Sequence, residues 1–286
     1  MDLRYSRDVD AVRVIAVSDT HLSSQSPEAL TNWDAIVGYV ALAKPDLVVH
    51  LGDLTLHGSH DGQELIAARG MLDQLTVEWR AIPGNHDIGD NPWDGSSDES
   101  SVSLDRLDRW TRAIGADRWV HDIDSWTLIA LNAQLFESGL EIEATQWTWL
   151  EQQLNERPAD RRVVVLIHKP IAAPAAELAA APPYAFVPSV ARVRLETLFA
   201  DRSVALIVSG HRHQYRSLRI DDRHHVWAPT TWAVLPEEAQ PTFGAKRCGA
   251  LSILLHADGR ATADLVEPPG IAQLTLTQDI PDPYRH

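Results

Sequence analysis

Residues that bind metal ions occur in five short segments of this chain, and each segment follows an apolar run. The segments are Asp19-Thr20-His21, Gly52-Asp53, Gly84-Asn85-His86-Asp87, His168 and Gly210-His211-Arg212-His213. Carboxylate oxygens, amide oxygens and imidazole nitrogens together suit transition-metal ions. Two such ions side by side polarise phosphoryl oxygens and activate water, so these residue types indicate metal-dependent hydrolysis.

The apolar runs before the segments predict β-strands. They cover 12–17, 46–51, 77–82, 163–167 and 204–208, and turn residues bound them. Short, nearly continuous apolar runs are typical of strands buried on both faces. Because ligands of such sheets bind beyond the carboxyl ends of the strands, we expect all five segments to meet at one edge.

The spacing of the first three segments predicts two successive βαβ units. Asp53 follows Asp19 by 34 residues (53 − 19), and Asn85 follows Asp53 by 32 (85 − 53). A strand, a crossover helix and the next strand need about 30 residues. The intervening segments 30–43 and 62–75 are predicted to be the helices.

The order of the five segments resembles that of the calcineurin-like metallophosphoesterases. That family has Asp-x-His, Gly-Asp, Gly-Asn-His-Asp/Glu, a single His and Gly-His-x-His, and all five occur here within residues 12–232. The resemblance implies an α/β fold, a four-layer αββα sandwich with two mixed β-sheets. We expect one domain over 1–286, with a C-terminal hairpin at 249–267 and a surface tail at 268–286.

The resemblance also implies two divalent or trivalent transition metal ions. One would be bound by Asp19, His21 and His213, the other by Asn85, His168 and His211, and Asp53 would bridge them. A hydroxide between the metals would then attack phosphorus. These donors suit Mn, Fe, Zn, Co and Ni alike, so the sequence leaves the identity of the metals open.

His86 and Asp87 are the catalytic residues that the resemblance implies. His86 would face the substrate, stabilise the developing phosphoryl charge or protonate the leaving oxygen. Asp87 would orient or polarise His86 from behind.

Four further residues are candidates for substrate contacts. His57 follows Asp53 on the same loop, Trp93 lies in the Gly- and Ser-containing segment 88–101, and Tyr184 and Phe186 lie in the Ala- and Pro-rich segment 171–188. Loops at the rim of a site commonly carry specificity. Simple packing of the side chain is the alternative for each of these residues.

Three features of the middle of the chain concern the substrate. The strand 126–131, the turn at Gly139 and the helix 144–154 with Gln146, Trp149 and Leu150 resemble the cyclic-nucleotide and glycerophosphodiester phosphodiesterase branch. This favours a small phosphodiester as substrate. A phosphomonoesterase is the alternative, and a metal-bound scaffold protein is less favoured because no ligand is missing.

The segments after Gly-His-Arg-His predict antiparallel strands. These segments are 215–220, 223–228, 250–255 and 261–266, and Asp258-Gly259 joins the last two. Asp-Gly between alternating apolar runs is a strong hairpin signal. We expect all four strands to complete a second sheet.

Composition limits the partners. The net charge of −15 over 286 residues argues against a nucleic acid polymer, which binds basic surfaces. Cys248 is the only cysteine, so the chain forms no internal disulfide. With no apolar run of about 20 residues and no secretory signal, we predict a soluble cytoplasmic protein without membrane contact. The sequence does not indicate the oligomeric state.

Overall fold

A computed structural model describes residues 11–92, 98–200, 202–220 and 222–276. The strands are β1 (Ala11–Val17), β2 (Leu47–His50), β3 (Trp79–Ala81), β4 (Trp119–Ile123), β5 (Trp126–Leu131), β6 (Arg162–Ile167), β7 (Val204–Ser209), β8 (Arg216–Ile220), β9 (Arg223–Trp227), β10 (Ala250–His256) and β11 (Ala261–Val266). The helices are α1 (Pro27–Ala43), α2 (Gly62–Leu72), α3 (Asn85–Ile88), α4 (Leu104–Ala113), α5 (Glu141–Glu156), α6 (Ala175–Ala180) and α7 (Ser189–Phe199). Trp93 lies outside the described ranges.

The first sheet contains the two predicted βαβ units. Its strand order is β11-β10-β1-β2-β3. β1, β2 and β3 are parallel, with Val17 opposite His50 and His50 opposite Ala81, so the three strands end at one edge. β10 pairs antiparallel with β1 and completes a mixed sheet.

The second sheet has the order β4-β5-β6-β7-β9-β8. β5, β6, β7 and β9 are parallel, whereas β4 and β8 are antiparallel to their neighbours. The expectation that both late hairpins complete this sheet is wrong in part. Only β8 and β9 join it, because the β10–β11 hairpin pairs with β1 in the first sheet.

Three apolar layers confirm the four-layer αββα sandwich. The outer face of the first sheet packs on α1, α2 and α4 through residues such as Trp33, Leu65 and Trp110. The inner faces of the two sheets meet through side chains that include Val14, Val49, Leu128, Val164 and Leu206. The outer face of the second sheet packs on α5 and α7 through Leu150, Leu195 and Phe199.

Four elements were not expected from the sequence, namely α3, α4, β4 and α7. α4 begins after Ser103, whose hydroxyl accepts a hydrogen bond from Arg106 N as an N-cap. α7 begins after Pro188, whose fixed φ suits a helix start. Within the described ranges, no helix is both long and apolar enough to cross a membrane.

Candidate metal centre

The five predicted segments meet at one end of both sheets. Asp19 and His21 follow β1, Asp53 follows β2, and Asn85 and His86 open α3 just beyond β3. His168 follows β6, and His211 and His213 follow β7. Their ligand atoms form three overlapping groups, each within 4.8 Å: Asp19, His21 and His213; His21, Asp53 and His86; and Asp53, His168 and His211.

In the first group, two imidazole nitrogens face each other. His21 Nε2 lies 3.3 Å from His213 Nε2. His213 Nδ1 donates to the carbonyl of Ala233 at 2.7 Å, which leaves the lone pair of Nε2 pointing towards His21 and towards Asp19 Oδ1 at 3.4 Å. Two nitrogens that each bind one cation at about 2.1 Å have a similar separation.

In the group around His168, one imidazole faces two oxygens. His168 Nδ1 donates to Leu51 O at 2.9 Å, so its Nε2 carries the lone pair. That nitrogen lies 3.2 Å from Asn85 Oδ1 and 3.3 Å from Asp53 Oδ2. A lone pair facing two acceptors needs a proton or a cation between them, so these donors fit a metal ion.

The electrostatics of these groups support the same conclusion. Burial lowers the pKa of His168, but the attraction and hydrogen bond of Asp53 outweigh it and raise the pKa to about 9. Burial raises the pKa of Asp53, but His168 and His86 hold it well below its usual range. The buried Asp53 carboxylate thus favours positive charge beside His168, which a bound cation would supply.

Most of the candidate ligands lie on strained backbone. Asp19, His21, Asp53, His211 and His213 all have positive φ, between 46° and 66°. Such conformations cost about 1–3 kcal/mol for each residue that is not glycine and collect at functional sites. The strain indicates that the placement of the ligand side chains, rather than the conformational preference of the backbone, determines these turns.

Glycine permits the closest approaches. Gly52 has φ of 104°, and a Cβ there would lie 2.6 Å from His168 Nδ1. A Cβ on Gly84 would lie 2.2 Å from Asp53 Oδ1. The glycines before Asp53 and Asn85 therefore leave room for the ligands themselves.

Two hydrogen bonds and a ring contact hold His86 beside the centre. Its Nδ1 donates to Leu56 O at 2.9 Å, and its backbone N–H donates to Asp53 Oδ1 at 2.9 Å. Its ring is perpendicular to that of His21, with 4.7 Å between the centroids. His86 is only half-buried, as a residue that meets substrate must be.

The predicted way in which Asp87 acts needs correction. Its buried carboxylate accepts hydrogen bonds from Leu54 N, Thr55 N, Thr55 Oγ1 and Gly84 N, at 2.7 to 3.1 Å. The partner of His86 Nδ1 is the Leu56 carbonyl instead. Asp87 thus joins the loops after β2 and β3, because a turn that places His86 towards the centre directs the next side chain inwards.

Sequence reasoning missed His50, which joins the loops after β1 and β2. Its ring is buried, Nδ1 accepts from Gly52 N–H at 3.2 Å, and Nε2 lies 2.9 Å from Thr20 Oγ1. Because the Thr20 hydroxyl donates to Leu54 O, His50 Nε2 must be the donor to Thr20. A histidine in an otherwise apolar buried strand was the available signal.

Burial of His50 predicts a pH-dependent stability. Burial, which outweighs the attraction of Asp19, lowers the pKa of His50 to about 3. Below about pH 6.5 the unfolded chain therefore binds a proton at His50, whereas the folded chain does not. Stability from this group is present above pH 6.5 and is lost as the pH falls towards 3. His50→Gln removes the titration.

We expect the free energy of unfolding of wild type, relative to His50→Gln, to fall by about 2 kcal/mol between pH 7 and pH 5. Urea unfolding of metal-free protein measures it, because chelation removes proton release linked to metal binding. A difference that stays constant with pH would contradict a neutral buried His50.

The segment after β9 also positions the ligands. Thr231 N donates to Ser18 O at 2.9 Å, and Thr230 Oγ1 donates to Asp19 O at 2.9 Å. The ring of Trp232 lies 5.0 Å from that of His21. This segment therefore supports the turn that carries Asp19 and His21, although no motif marks it.

Two of the four candidate substrate contacts lie beside the centre. Tyr184 O accepts from His211 Nε2 at 2.9 Å, and the two rings are 6.4 Å apart. Phe186 is largely buried, packs on Trp227 at 5.9 Å and lies under the guanidinium of Arg212. His57 is half-buried, and its backbone N–H donates to Glu64 Oε2 at 2.6 Å. Substrate contact by these residues remains a prediction.

The four layers, with acidic, amide and imidazole side chains at one end of both sheets, define a metallophosphoesterase fold. A dimetal phosphatase from Danio rerio has the same architecture, with a TM-score of 0.60 and 15% identity over 90% of this chain and 100% of that one. The chain belongs to the calcineurin-like phosphoesterase family, whose model matches residues 12–215. It is therefore a metal-dependent phosphoric ester hydrolase.

Two similar sequences carry phosphodiesterase names. The 3',5'-cyclic adenosine monophosphate phosphodiesterase CpdA of Escherichia coli K12 is 26% identical over 268 residues, which cover 89% of each chain. A probable glycerophosphodiester phosphodiesterase GpdQ of Arcobacter nitrofigilis is 31% identical over 171 residues, 55% of this chain and 56% of that one.

Proposed function

We propose that the chain is a two-metal phosphodiesterase that hydrolyses small phosphodiesters of the cyclic-nucleotide or glycerophosphodiester type. The observation that carries this proposal is the arrangement of the ligand atoms. Groups built around His21–His213 and His168–His211 both lie within reach of Asp53. One carboxylate between two sets of donors is suited to bridging two cations.

The seven residues would divide as the sequence predicts. Asp19, His21 and His213 would hold one metal, and Asn85, His168 and His211 the other, with Asp53 between them. Bound metals supply a nucleophilic water at neutral pH and neutralise charge on the phosphoryl oxygens. His211 would ligate through Nδ1, because its Nε2 donates to Tyr184 O.

His86 would assist departure of the leaving group. Because Nδ1 donates to Leu56 O, Nε2 is the nitrogen that would give a proton to the departing oxygen. Asp87 and His50 would contribute indirectly, by holding the loops that carry Asp53, His86 and Asp19.

The substrate preference is testable with two chromogenic esters. After reconstitution with manganese, we expect kcat/KM for bis(p-nitrophenyl) phosphate to exceed that for p-nitrophenyl phosphate by at least tenfold. The two relatives with phosphodiesterase names support this direction, and the shared leaving group makes the comparison direct. A preference for the monoester would instead support a phosphomonoesterase.

A further inference from the structure

A cavity of about 190 Å³ lies beside the group of candidate ligands that contains His168 and His211. We call it the side cavity; its wall contains Asn91, Glu137, Lys169, Tyr184 and Arg192. Tyr184 connects it to the centre, because its main-chain oxygen accepts from His211 Nε2 at 2.9 Å. Lys169 directly follows the candidate ligand His168 in the chain, so the side cavity and the metal centre share neighbouring residues.

The rest of the wall consists mostly of apolar residues, with Ser189 as a polar exception. Leu178, Ala181, Pro182, Pro183, Val187 and Pro188 line it, together with the largely buried Phe186. Proline side chains have fixed backbone geometry and little freedom to move. A ligand group in the side cavity would therefore place apolar faces against these residues.

Lys169 forms a rigid polar floor. It is 1% exposed, pairs with Asp90, and lies 2.8 Å from Asn91 Oδ1. The Asn91 amide donates in turn to Ala133 O and Phe136 O at 2.9 and 2.8 Å. Lys169 and Asn91 both line the side cavity, so these contacts hold its polar floor in place.

The opposite side offers a further acceptor and further donors. Glu137 Oε1 accepts from Ala191 N at 2.8 Å, which leaves its second oxygen for a ligand donor. The charge of Arg192 is balanced by the nearby Glu137 and Glu196. Because Asp90 likewise balances Lys169, the side cavity suits an uncharged group with hydrogen-bonding atoms on its edge.

The size limits what can enter. Cavities that bury a complete drug-sized ligand are about 300–1,000 Å³, so the side cavity at 190 Å³ holds one part of a substrate. Its volume equals that of roughly six waters at about 30 Å³ each. A flat ring with apolar faces and a polar edge fits, and proteins read isolated nucleobases with such walls and edges.

We propose that the side cavity binds the base of a nucleotide-type diester, with Lys169, Glu137 and Arg192 at the edge of the ring and the proline-rich wall against its faces. This inference rests on the proposed function, since it places the phosphoryl group at the metal centre. It narrows the substrate to a phosphodiester that carries a heteroaromatic base.

Ala181→Trp tests the proposal by filling the side cavity. Ala181 lines it, whereas the neighbouring Ala180 is exposed and does not, so Ala180→Trp is a matched control. Calorimetry on manganese-loaded protein would measure binding of 5'-AMP, glycerol 3-phosphate and inorganic phosphate. Binding is independent of turnover, so the result does not depend on the enzyme's activity.

We expect wild type and Ala180→Trp to bind 5'-AMP at least tenfold more tightly than glycerol 3-phosphate. In Ala181→Trp this advantage is lost, while the affinity for phosphate stays within twofold. Equal affinities in wild type, or 5'-AMP binding that survives Ala181→Trp, would overturn the proposal. Wild type could instead bind glycerol 3-phosphate more tightly than 5'-AMP and lose that binding in Ala181→Trp. This result would also overturn the proposal and would indicate a polyol site.

A different result is expected if the proposed function itself is wrong. Metal-loaded wild type would then hydrolyse no phosphodiester, whatever Ala181→Trp does to ligand binding. Retained hydrolysis of bis(p-nitrophenyl) phosphate together with no preference for 5'-AMP would leave the proposed function standing and remove only the base site.

Discussion

Asp53→Asn lowers kcat/KM for bis(p-nitrophenyl) phosphate by about three orders of magnitude, or about 4 kcal/mol. Asp53 is buried and is the one residue shared by the groups around His21 and His168. Asparagine keeps the shape, and its amide oxygen can still accept from His86 N–H, but it lacks the charge needed to bind two cations. Steady-state hydrolysis after manganese reconstitution measures the effect.

The control for Asp53→Asn is Asp105→Asn, an exposed carboxylate in the first turn of α4. It removes the same charge from the chain but should leave the rate within twofold. If Asp53→Asn retains the wild-type rate with verified metal content, the carboxylate does not bridge, and the assignment of the centre is wrong.

His86→Asn separates proton donation from metal binding. We expect kcat for a diester with an alkyl leaving group to fall by about 10²–10⁴-fold, the usual contribution of a general acid. The fall should be much smaller for p-nitrophenyl esters, because p-nitrophenolate is a weak base and leaves without a proton. Metal content should not change, because the substitution leaves all seven proposed metal ligands in place.

The matched control is His121→Asn, on the edge strand β4 away from the centre. It should leave both substrates unaffected. Equal losses with good and poor leaving groups would show that His86 stabilises phosphoryl charge rather than donating a proton. No loss with either would remove His86 from the mechanism.

The sequence predicted the strands that carry the ligands because their signals are local. The run ending at Val17 is largely apolar and the ligand Asp19 comes two residues later, and His168 directly follows the run ending at Ile167. Pairing is not local. The Asp258-Gly259 turn predicts the β10–β11 hairpin, but nothing in the hairpin specifies that β10 pairs with β1 about 240 residues earlier.

Ligand types were readable from the sequence, whereas the supports of the ligands were not. Asp87 and His86 are adjacent in sequence. Only the turn between Gly84 and Ile88 directs the Asp87 carboxylate to accept hydrogen bonds from backbone N–H groups of two loops. His50, Thr20 and Thr230 act through contacts between distant segments. No motif marks Lys169, yet it forms a buried ion pair with Asp90, which lies 79 residues earlier in the chain.

The number of metals bound by purified protein tests the central claim most directly. Elemental analysis of wild type after reconstitution and desalting should give two metals per chain, and Asp53→Asn should give fewer. Two metals in wild type with partial loss in the variant would support a shared carboxylate between two cations. One metal or none in wild type, under conditions that support hydrolysis, would contradict the two-metal account.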